Sequence, residues 1–213
     1  MERKKVSYTY DLIPWTFGEI GLVRRAGAGR PLICRILLPD AGCSMTGKIR
    51  EDFPGAVPRA GKRDEICMQI RDFLSGNAVD FALEDLDFGI VKGFARRVLL
   101  ADGKIPRGRV MTYGGLAASV GVPGGARAVG NVMAGNPFPL VIPCHRVVRS
   151  GGSLGGFGGG LSMKRALLAM EGVCFDHKGR VFSEYIAKAN RRAVFCVSGL
   201  GALLCVSFLL VGF

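Results

Sequence analysis

Residues 112–136 read TYGGLAASVGVPGGARAVGNVMAGN and predict two short helices joined by a tight turn. Thr112 can cap the first helix, and Pro123 with its flanking glycines forms the turn. Apolar positions of the first helix recur at steps of three and four residues, at Tyr113, Leu116, Ala117 and Val120. The second helix repeats this spacing at Ala126, Val129, Gly130 and Met133. The pattern is typical of a helix–turn–helix unit.

The second helix of this pair carries almost no side-chain bulk. Arg127 is the only long polar side chain near its start, and Asn136 follows its end. Helices that read base edges in the major groove present Arg, Asn or Gln, so this smooth helix is poorly suited to that task. Two interpretations stay open. The helix either presses against a nucleic-acid backbone or narrow groove, or packs tightly against a neighbouring element.

A cysteine lies beside one of the two histidines of the chain, in the segment Pro143-Cys144-His145-Arg146-Val147. The apolar run Leu140-Val141-Ile142 precedes it and predicts a strand. A thiol next to an imidazole can become a thiolate, which is the form that attacks carbon. Cys144 is therefore a candidate nucleophile.

Seven of the ten residues 151–160 are glycine, placed around Phe157. This segment is either a loop whose backbone approaches a ligand closely or a flexible linker. A helix is predicted from about Ser162 to Glu171, and a carboxylate in the last turn of a helix is disfavoured by the helix dipole. Glu171 is then either the partner of an imidazole or a solvated surface residue.

The first part of the chain predicts an α/β domain. Residues 6–13, 18–24 and 32–38 form β-rich runs, and residues 40–63 form a loop rich in glycine, proline and charge. An amphipathic helix follows, with apolar residues at Ile66, Ile70, Phe73 and Leu74. A further strand is expected at residues 79–83. We expect an N-terminal domain at 1–88, a second domain at 89–181 and an extension at 182–213.

Charge and cysteine usage narrow the class of protein. The chain has 213 residues and a net charge of +12, and residues 91–150 hold nine basic residues against one acidic residue. Such a block favours a polyanionic partner, with nucleic acid first, although a solvated surface is the alternative. Seven scattered cysteines without a CxxC pair indicate a reducing cytoplasm, and their spacing with His177 does not suit a zinc site.

The segment RAVGNVMAGNPFPLVIPCHRVV (127–148), with TYGGLA upstream and GGFGGGLSMKRALLAMEG downstream, closely resembles the O6-alkylguanine-DNA alkyltransferases, also called methylated-DNA–protein-cysteine methyltransferases. The resemblance covers about residues 94–174. It implies a small antiparallel sheet with a helix at the N-terminus, followed by a mostly α-helical, winged-helix-like domain that contains the helix–turn–helix. It also implies a DNA repair protein that moves an alkyl group from O6 of guanine to its own cysteine, once and irreversibly.

The resemblance also assigns roles to the catalytic residues. Cys144 corresponds to the alkyl acceptor, His145 to the residue that draws the thiol proton through a bridging water, and Glu171 to the carboxylate that orients the histidine. Because neighbouring residues on a strand point to opposite faces, a relay through water suits an adjacent Cys–His pair. Tyr113 corresponds to a tyrosine that donates to the base and presses on the 3′ phosphate.

The remaining family positions form the lesion pocket and the DNA contact. The backbone N–H of Gly158 is expected to face O6, the ring of Phe157 to pack on the alkyl group, and Pro139 to line the pocket. Some members carry serine and tyrosine at positions 158 and 157, which leaves the preferred alkyl size open. The carbonyls of Cys144 and Val147 correspond to acceptors for the exocyclic amine, and Asn136 to a hinge between the helix pair and the strand.

On the DNA side, Arg127 is expected to fill the gap left by a flipped nucleotide, while the small residues Ala126 and Gly130 let the helix enter the minor groove. The expected partner is double-stranded DNA containing O6-alkylguanine, bound by a monomer without a metal or cofactor. The alternative is an alkyltransferase-like or helix–turn–helix protein that binds DNA without transferring a group.

The last 21 residues, 193–213, lack charge and follow Arg191-Arg192. This length suffices to cross a bilayer, with the basic flank on the cytoplasmic side. A repair protein has no evident need for a membrane span. A transmembrane tail anchor and an appendage without membrane function therefore stay open as alternatives.

Overall fold

The computed structural model describes residues 6–27, 29–40, 42–60 and 64–188. Its N-terminal half is a four-stranded sheet in the order β3-β2-β1-β4, formed by β1 (Tyr8–Trp15), β2 (Gly18–Arg25), β3 (Leu32–Leu37) and β4 (Val57–Pro58). The first three strands are the predicted ones and pair antiparallel. Strand β4 pairs parallel to β1, so the sheet is mixed, and the expectation of a purely antiparallel sheet was wrong.

Helix α1 (Met45–Asp52) lies within the segment predicted to be a loop, residues 40–63. Ser44 caps it by accepting a hydrogen bond from the N–H of Gly47. Met45 and Ile49 are its buried residues, and they pack over Gly21 of β2, where a Cβ atom would lie 2.8 Å from the Met45 sulfur. Packing against Gly21 of β2 thus stabilises α1, although the apolar residues of this segment show little helical periodicity.

Helix α2 (Glu65–Leu74) is the predicted amphipathic helix, and it is capped by Asp64. Residues 79–83 are all described, and they do not form the expected strand. Val79 and Phe81 instead pack on the main core from an extended segment, and a short 3-10 turn follows at Leu83–Asp85. The apolar alternation is real, but among the described residues the chain first bridges to a strand at Leu86, which pairs with Ile33 of β3.

The C-terminal half is mainly helical. It contains α3 (Gly93–Asp102), α4 (Tyr113–Ser119), α5 (Ala126–Ala134) and α6 (Gly160–Met170). Strands β5 (Met111–Thr112) and β6 (Val147–Val148) pair parallel to each other. One apolar cluster joins both halves, because it includes Ile13 and Phe73 as well as Phe138 and Leu167.

Across the described ranges, no helix is long and apolar enough to cross a membrane. The predicted span at 193–213 lies outside the residues that the structure describes.

Candidate active site

Cys144 and His145 lie in a short 3-10 turn, Cys144–Arg146, and not in the predicted strand. The apolar run before the turn is not a strand, so that prediction was wrong: residues 140 and 141 form a turn, Leu140 has a φ of +75°, and Ile142 forms only an isolated bridge with Pro139. A strand begins only at Val147, where pairing with Met111 brings the turn beside the start of α4. The expected placement of the two side chains on opposite faces of a strand was therefore also wrong.

His145 and Glu171 form a buried pair. Nε2 of His145 lies 2.9 Å from Oε1 of Glu171, and both side chains have no exposed surface. Glu171 caps the C-terminus of α6, where the helix dipole disfavours a carboxylate. Arg146 offsets this cost, because its Nη2 and Nε donate to the two carboxylate oxygens at 2.8 and 3.0 Å.

The protonation states of this pair follow from its surroundings. Burial opposes ionisation of Glu171, but the hydrogen bonds from His145 and Arg146 outweigh it and lower the pKa to about 2. The ionised Glu171 can only accept, so it holds the imidazole as the tautomer protonated on Nε2. Nδ1 is then a base, and within the described residues this buried atom has no hydrogen-bond partner.

The Cys144 thiol is a poor acid in its resting environment. Burial, with a smaller contribution from the nearby Asp102 carboxyl, raises its pKa to about 12. Burial also lowers the pKa of His145, partly opposed by Glu171, so the imidazole is neutral at physiological pH. A neutral imidazole and a protonated thiol are the starting state for proton transfer from sulfur to nitrogen.

A groove of about 770 Å³ opens above the thiol. Seven of the predicted residues line it: Tyr113, Ala126, Arg127, Gly130, Cys144, Phe157 and Gly158. A Cβ atom added at Gly158 would have no heavy atom within 4 Å outside its chain neighbours. A serine, as some family members carry, would fit at this position without displacing the backbone.

The smooth helix α5 presents its small residues to this groove. Val129 and Met133 are buried on its inner side, whereas Ala128 and Ala134 are exposed. A Cβ atom at Gly130 would also meet open space. Within the described residues, packing therefore does not require small side chains on the outer side of α5. Small side chains at these positions instead favour close approach of an external partner.

The glycine-rich segment is packed against the site. A Cβ atom at Gly152, where φ is +82°, would lie 2.3 Å from the Val181 carbonyl oxygen, and one at Gly155 would lie 3.0 Å from the Tyr113 hydroxyl. Only glycine fits such approaches. At Gly152 and Gly155 the segment is therefore packed on its own protein and does not behave as a flexible linker, while its predicted approach to a ligand stays a prediction.

Asn136, Pro139 and Val147 lie behind the groove instead of lining it. Asn136 donates to the Ile142 carbonyl at 3.0 Å and accepts from the Phe138 N–H at 2.9 Å, which fixes the segment leading to Cys144. Pro139 is buried, and it forms an isolated bridge with Ile142. The Val147 carbonyl, expected to meet the guanine amine, accepts a hydrogen bond from Lys164 at 2.6 Å.

Lys164 and Asp102 are buried ionisable residues that the sequence interpretation missed. Lys164 bonds the carbonyls of Val147 and Gly156, and burial lowers its pKa to about 8. Both carboxyl oxygens of Asp102 lack a hydrogen-bond partner within the described residues, and burial raises its pKa to about 8. Helical spacing could have indicated both residues, because each lies on the buried face of its helix. Lys164 is three residues before the buried Leu167 of α6, and Asp102 is three residues after the buried Leu99 of α3.

The basic block at 91–150 is only partly directed at a partner. Four of its arginines bind the protein itself: Arg96 donates to the Phe88 carbonyl, Arg107 to three backbone carbonyls, Arg109 to the Glu184 carbonyl and Arg146 to Glu171. Arg127 and Arg149 line the groove. The charge that faces the groove is therefore smaller than the sequence count implies.

Fold and site together define a class of protein in which a smooth helix with one arginine near its start borders a groove that has a buried cysteine in its lining. Residues 93–173 match the family model described as 6-O-methylguanine DNA methyltransferase, DNA binding domain. The chain belongs to the methylated-DNA–protein-cysteine methyltransferase family.

Individual relatives support this assignment. A methylated-DNA–protein-cysteine methyltransferase of Methanothermobacter thermautotrophicus is 50% identical over 107 residues, which span 50% of this chain and 60% of the relative. That of Mycolicibacterium paratuberculosis is 38% identical over 158 residues, covering 71% of this chain and 87% of the relative. The crystal structure of Mycobacterium tuberculosis OGT in complex with DNA matches with a TM-score of 0.62 at 32% identity, covering 78% and 92% of the two chains.

Proposed function

We propose that this protein repairs DNA by transferring the alkyl group of O6-alkylguanine to the sulfur of Cys144. The observation that carries the proposal is the position of the thiol at the floor of the groove, with the buried His145–Glu171 pair behind it. In the reaction a sulfur–carbon bond forms and the carbon–O6 bond breaks. The thioether is stable, so each molecule reacts once.

The proton of the thiol must leave as sulfur attacks. Nδ1 of His145 is the acceptor that the geometry supports, because Glu171 occupies Nε2 and leaves the lone pair of Nδ1 available. A bridging water between sulfur and Nδ1 completes the relay in our proposal. Glu171 then stabilises the imidazolium that forms.

The leaving guanine needs a proton or hydrogen-bond donors for its developing negative charge. We assign this role to the Tyr113 hydroxyl and the backbone N–H of Gly158. Burial and the neighbouring Cys144 raise the pKa of Tyr113, so its hydroxyl keeps its proton as a donor. The carbonyls of Cys144 and Val147 recognise the exocyclic amine, although Lys164 already occupies one lone pair at Val147.

DNA binding is assigned to α5 as the second helix of a winged-helix-like helix–turn–helix. Its exposed small residues favour entry into the minor groove, and we assign Arg127, which lines the groove near the start of α5, to the gap left by the flipped nucleotide. We assign the transfer reaction to residues 89–181 and the supporting scaffold to residues 1–88.

The function is tested by incubating the full-length chain with duplex DNA that carries labelled O6-methylguanine. We expect one label per active molecule, located on Cys144 after proteolysis, and none on the Cys144→Ala variant. Cys174→Ser, which changes an exposed thiol, serves as the matched control and should accept the label normally. Binding of the lesion without any label would favour an alkyltransferase-like binding protein and overturn the proposal.

Arg127→Ala is expected to slow transfer from duplex DNA by about tenfold or more, because unstacking a base costs a few kcal/mol that a filled gap helps to offset. Transfer from the free base O6-benzylguanine requires no flipping and should change less than about twofold. Single-turnover rates on both substrates check this. Arg165→Ala, an exposed arginine on α6, is the control. Equal slowing on both substrates would place Arg127 in the chemistry instead of in flipping.

A further inference from the structure

Arg107 lies in the turn between α3 and β5, and its guanidinium binds three backbone carbonyls. The carbonyls of Gly76 and Asn77, at 2.6 and 3.1 Å, follow Ser75, the C-terminal cap of helix α2 in the N-terminal half. The third, that of Met170 at 2.9 Å, belongs to the last residue of α6. One side chain thus joins the C-terminal ends of two helices from different halves of the chain. Partial negative charge at those ends favours a cation between them.

The same turn also contacts the catalytic carboxylate. The N–H of Gly108 lies 3.4 Å from Oε2 of Glu171, and the Ile105 carbonyl accepts from Nη1 of Arg146 at 2.6 Å. Arg146 in turn binds Glu171. Residues 105–108 therefore reach Glu171 both directly and through Arg146. Arg107 adds a third connection, because Met170 immediately precedes Glu171.

Helix α2 approaches the imidazole from the other side. The ring of Phe73, near the end of α2, has its centroid 6.0 Å from that of His145. The Arg107 guanidinium carbon lies 6.0 Å from the centre of the same Phe73 ring. The N-terminal half thus contacts His145 through Phe73. It is also linked through Arg107 to Met170, the residue before Glu171.

We propose that Arg107 is a positioning residue for alkyl transfer, which ties the end of α2 to the end of α6 and thereby holds Glu171 in register with His145. The inference rests on the proposed function. It assigns the N-terminal half a part in the chemistry, although the matched family model begins only at residue 93. A residue that served only to fasten the two halves would affect stability and leave the proton-transfer step unchanged.

The test compares full-length wild type, Arg107→Met and Arg107→Lys in single-turnover methyl transfer from duplex DNA, with rates normalised to the titrated active fraction. We expect Arg107→Met to be about tenfold slower at pH 7 and its rate to rise more steeply with pH than that of wild type, since a displaced Glu171 leaves His145 a weaker base. Arg107→Lys keeps the charge and should recover part of the rate. Arg165→Met makes the same chemical change on the outer face of α6 and should match wild type.

A wild-type rate and pH profile for Arg107→Met would overturn the inference, whatever its melting temperature. If that variant does not fold, the decision rests on Arg107→Gln, which loses the charge but keeps a donor, judged by the same two readouts. These outcomes are separate from those that test the function itself. Failure of the proposed function requires that wild type transfers nothing, whereas this inference fails when wild type and the Arg107 variants transfer alike.

Discussion

Replacing Glu171 with glutamine is expected to slow alkyl transfer by about 100-fold or more, because the proposed mechanism relies on a positioned base and on the carboxylate that orients it. The carboxylate can only accept a hydrogen bond, so it fixes the proton of His145 on Nε2. An amide can also donate through its NH₂ group, and this would favour the opposite tautomer. In that tautomer Nδ1 carries the proton and can no longer accept one from Cys144.

The pH dependence of this variant has a defined sign. Burial lowers the pKa of His145, and the contact with Glu171 partly restores it. Without the charge the imidazole binds a proton less readily, and transfer depends on direct ionisation of a thiol whose pKa burial raises to about 12. The rate of Glu171→Gln should therefore rise with pH between about 6 and 9 more steeply than the wild-type rate.

The Glu171→Gln measurement needs a stability control. Loss of the carboxylate leaves the Arg146 guanidinium unpaired with only 13% of its side chain exposed, and breaking such a pair costs about 3–5 kcal/mol. Rates are therefore normalised to the fraction of molecules that accept an alkyl group at long times. Glu184→Gln makes the same change at an exposed position and should leave the rate unchanged. Transfer by Glu171→Gln within about threefold of wild type would remove Glu171 from the mechanism.

Asp102→Asn is expected to raise the free energy of unfolding by about 1–4 kcal/mol at pH 7.5, because the buried carboxyl must take up a proton when the chain folds, whereas an amide of similar shape is neutral at every pH. Burial raises the pKa of Asp102 from 3.8 to about 8. The native state therefore holds a proton that the unfolded chain releases above about pH 4. The contribution of Asp102 to wild-type stability is therefore most favourable below about pH 4, and it becomes less favourable as the pH rises towards 8.

The gain from Asp102→Asn should accordingly be small near pH 4 and grow up to about pH 8. Chemical denaturation of both proteins at several pH values measures this difference. Asp80→Asn, at an exposed position, should show no such trend. A variant less stable than wild type at pH 7.5 would show that the carboxyl contributes favourable interactions in the native state.

The sequence predicted elements where apolar spacing and capping residues agree. Thr112 caps α4 as predicted, and Val129 and Met133 of α5 are buried as their spacing requires. Helix α1 could not be predicted in this way, because its burial depends on Gly21 of a distant strand. The strand at 79–83 failed for the opposite reason, since alternating apolar residues do not supply a pairing partner.

Prediction of the site had a similar limit. The unfavourable position of Glu171 at the end of a helix indicated a partner, and the structure places His145 and Arg146 there. The turn at Cys144–Arg146 was missed because an apolar run was taken for a strand, whereas residues 140 and 141 already form a turn in which Leu140 adopts a φ of +75°. Arg107 was counted only as part of a basic block, since a sequence does not show which arginines turn inward.

The open space beside Gly158 has an evolutionary consequence. Most substitutions in a catalytic site are filtered by packing, but here a Cβ atom would meet open space, so a side chain can be gained without displacing its neighbours. In the proposed site, position 158 can therefore vary without disturbing Cys144 or the His145–Glu171 pair. Directed evolution of altered alkyl selectivity should begin at this wall of the groove.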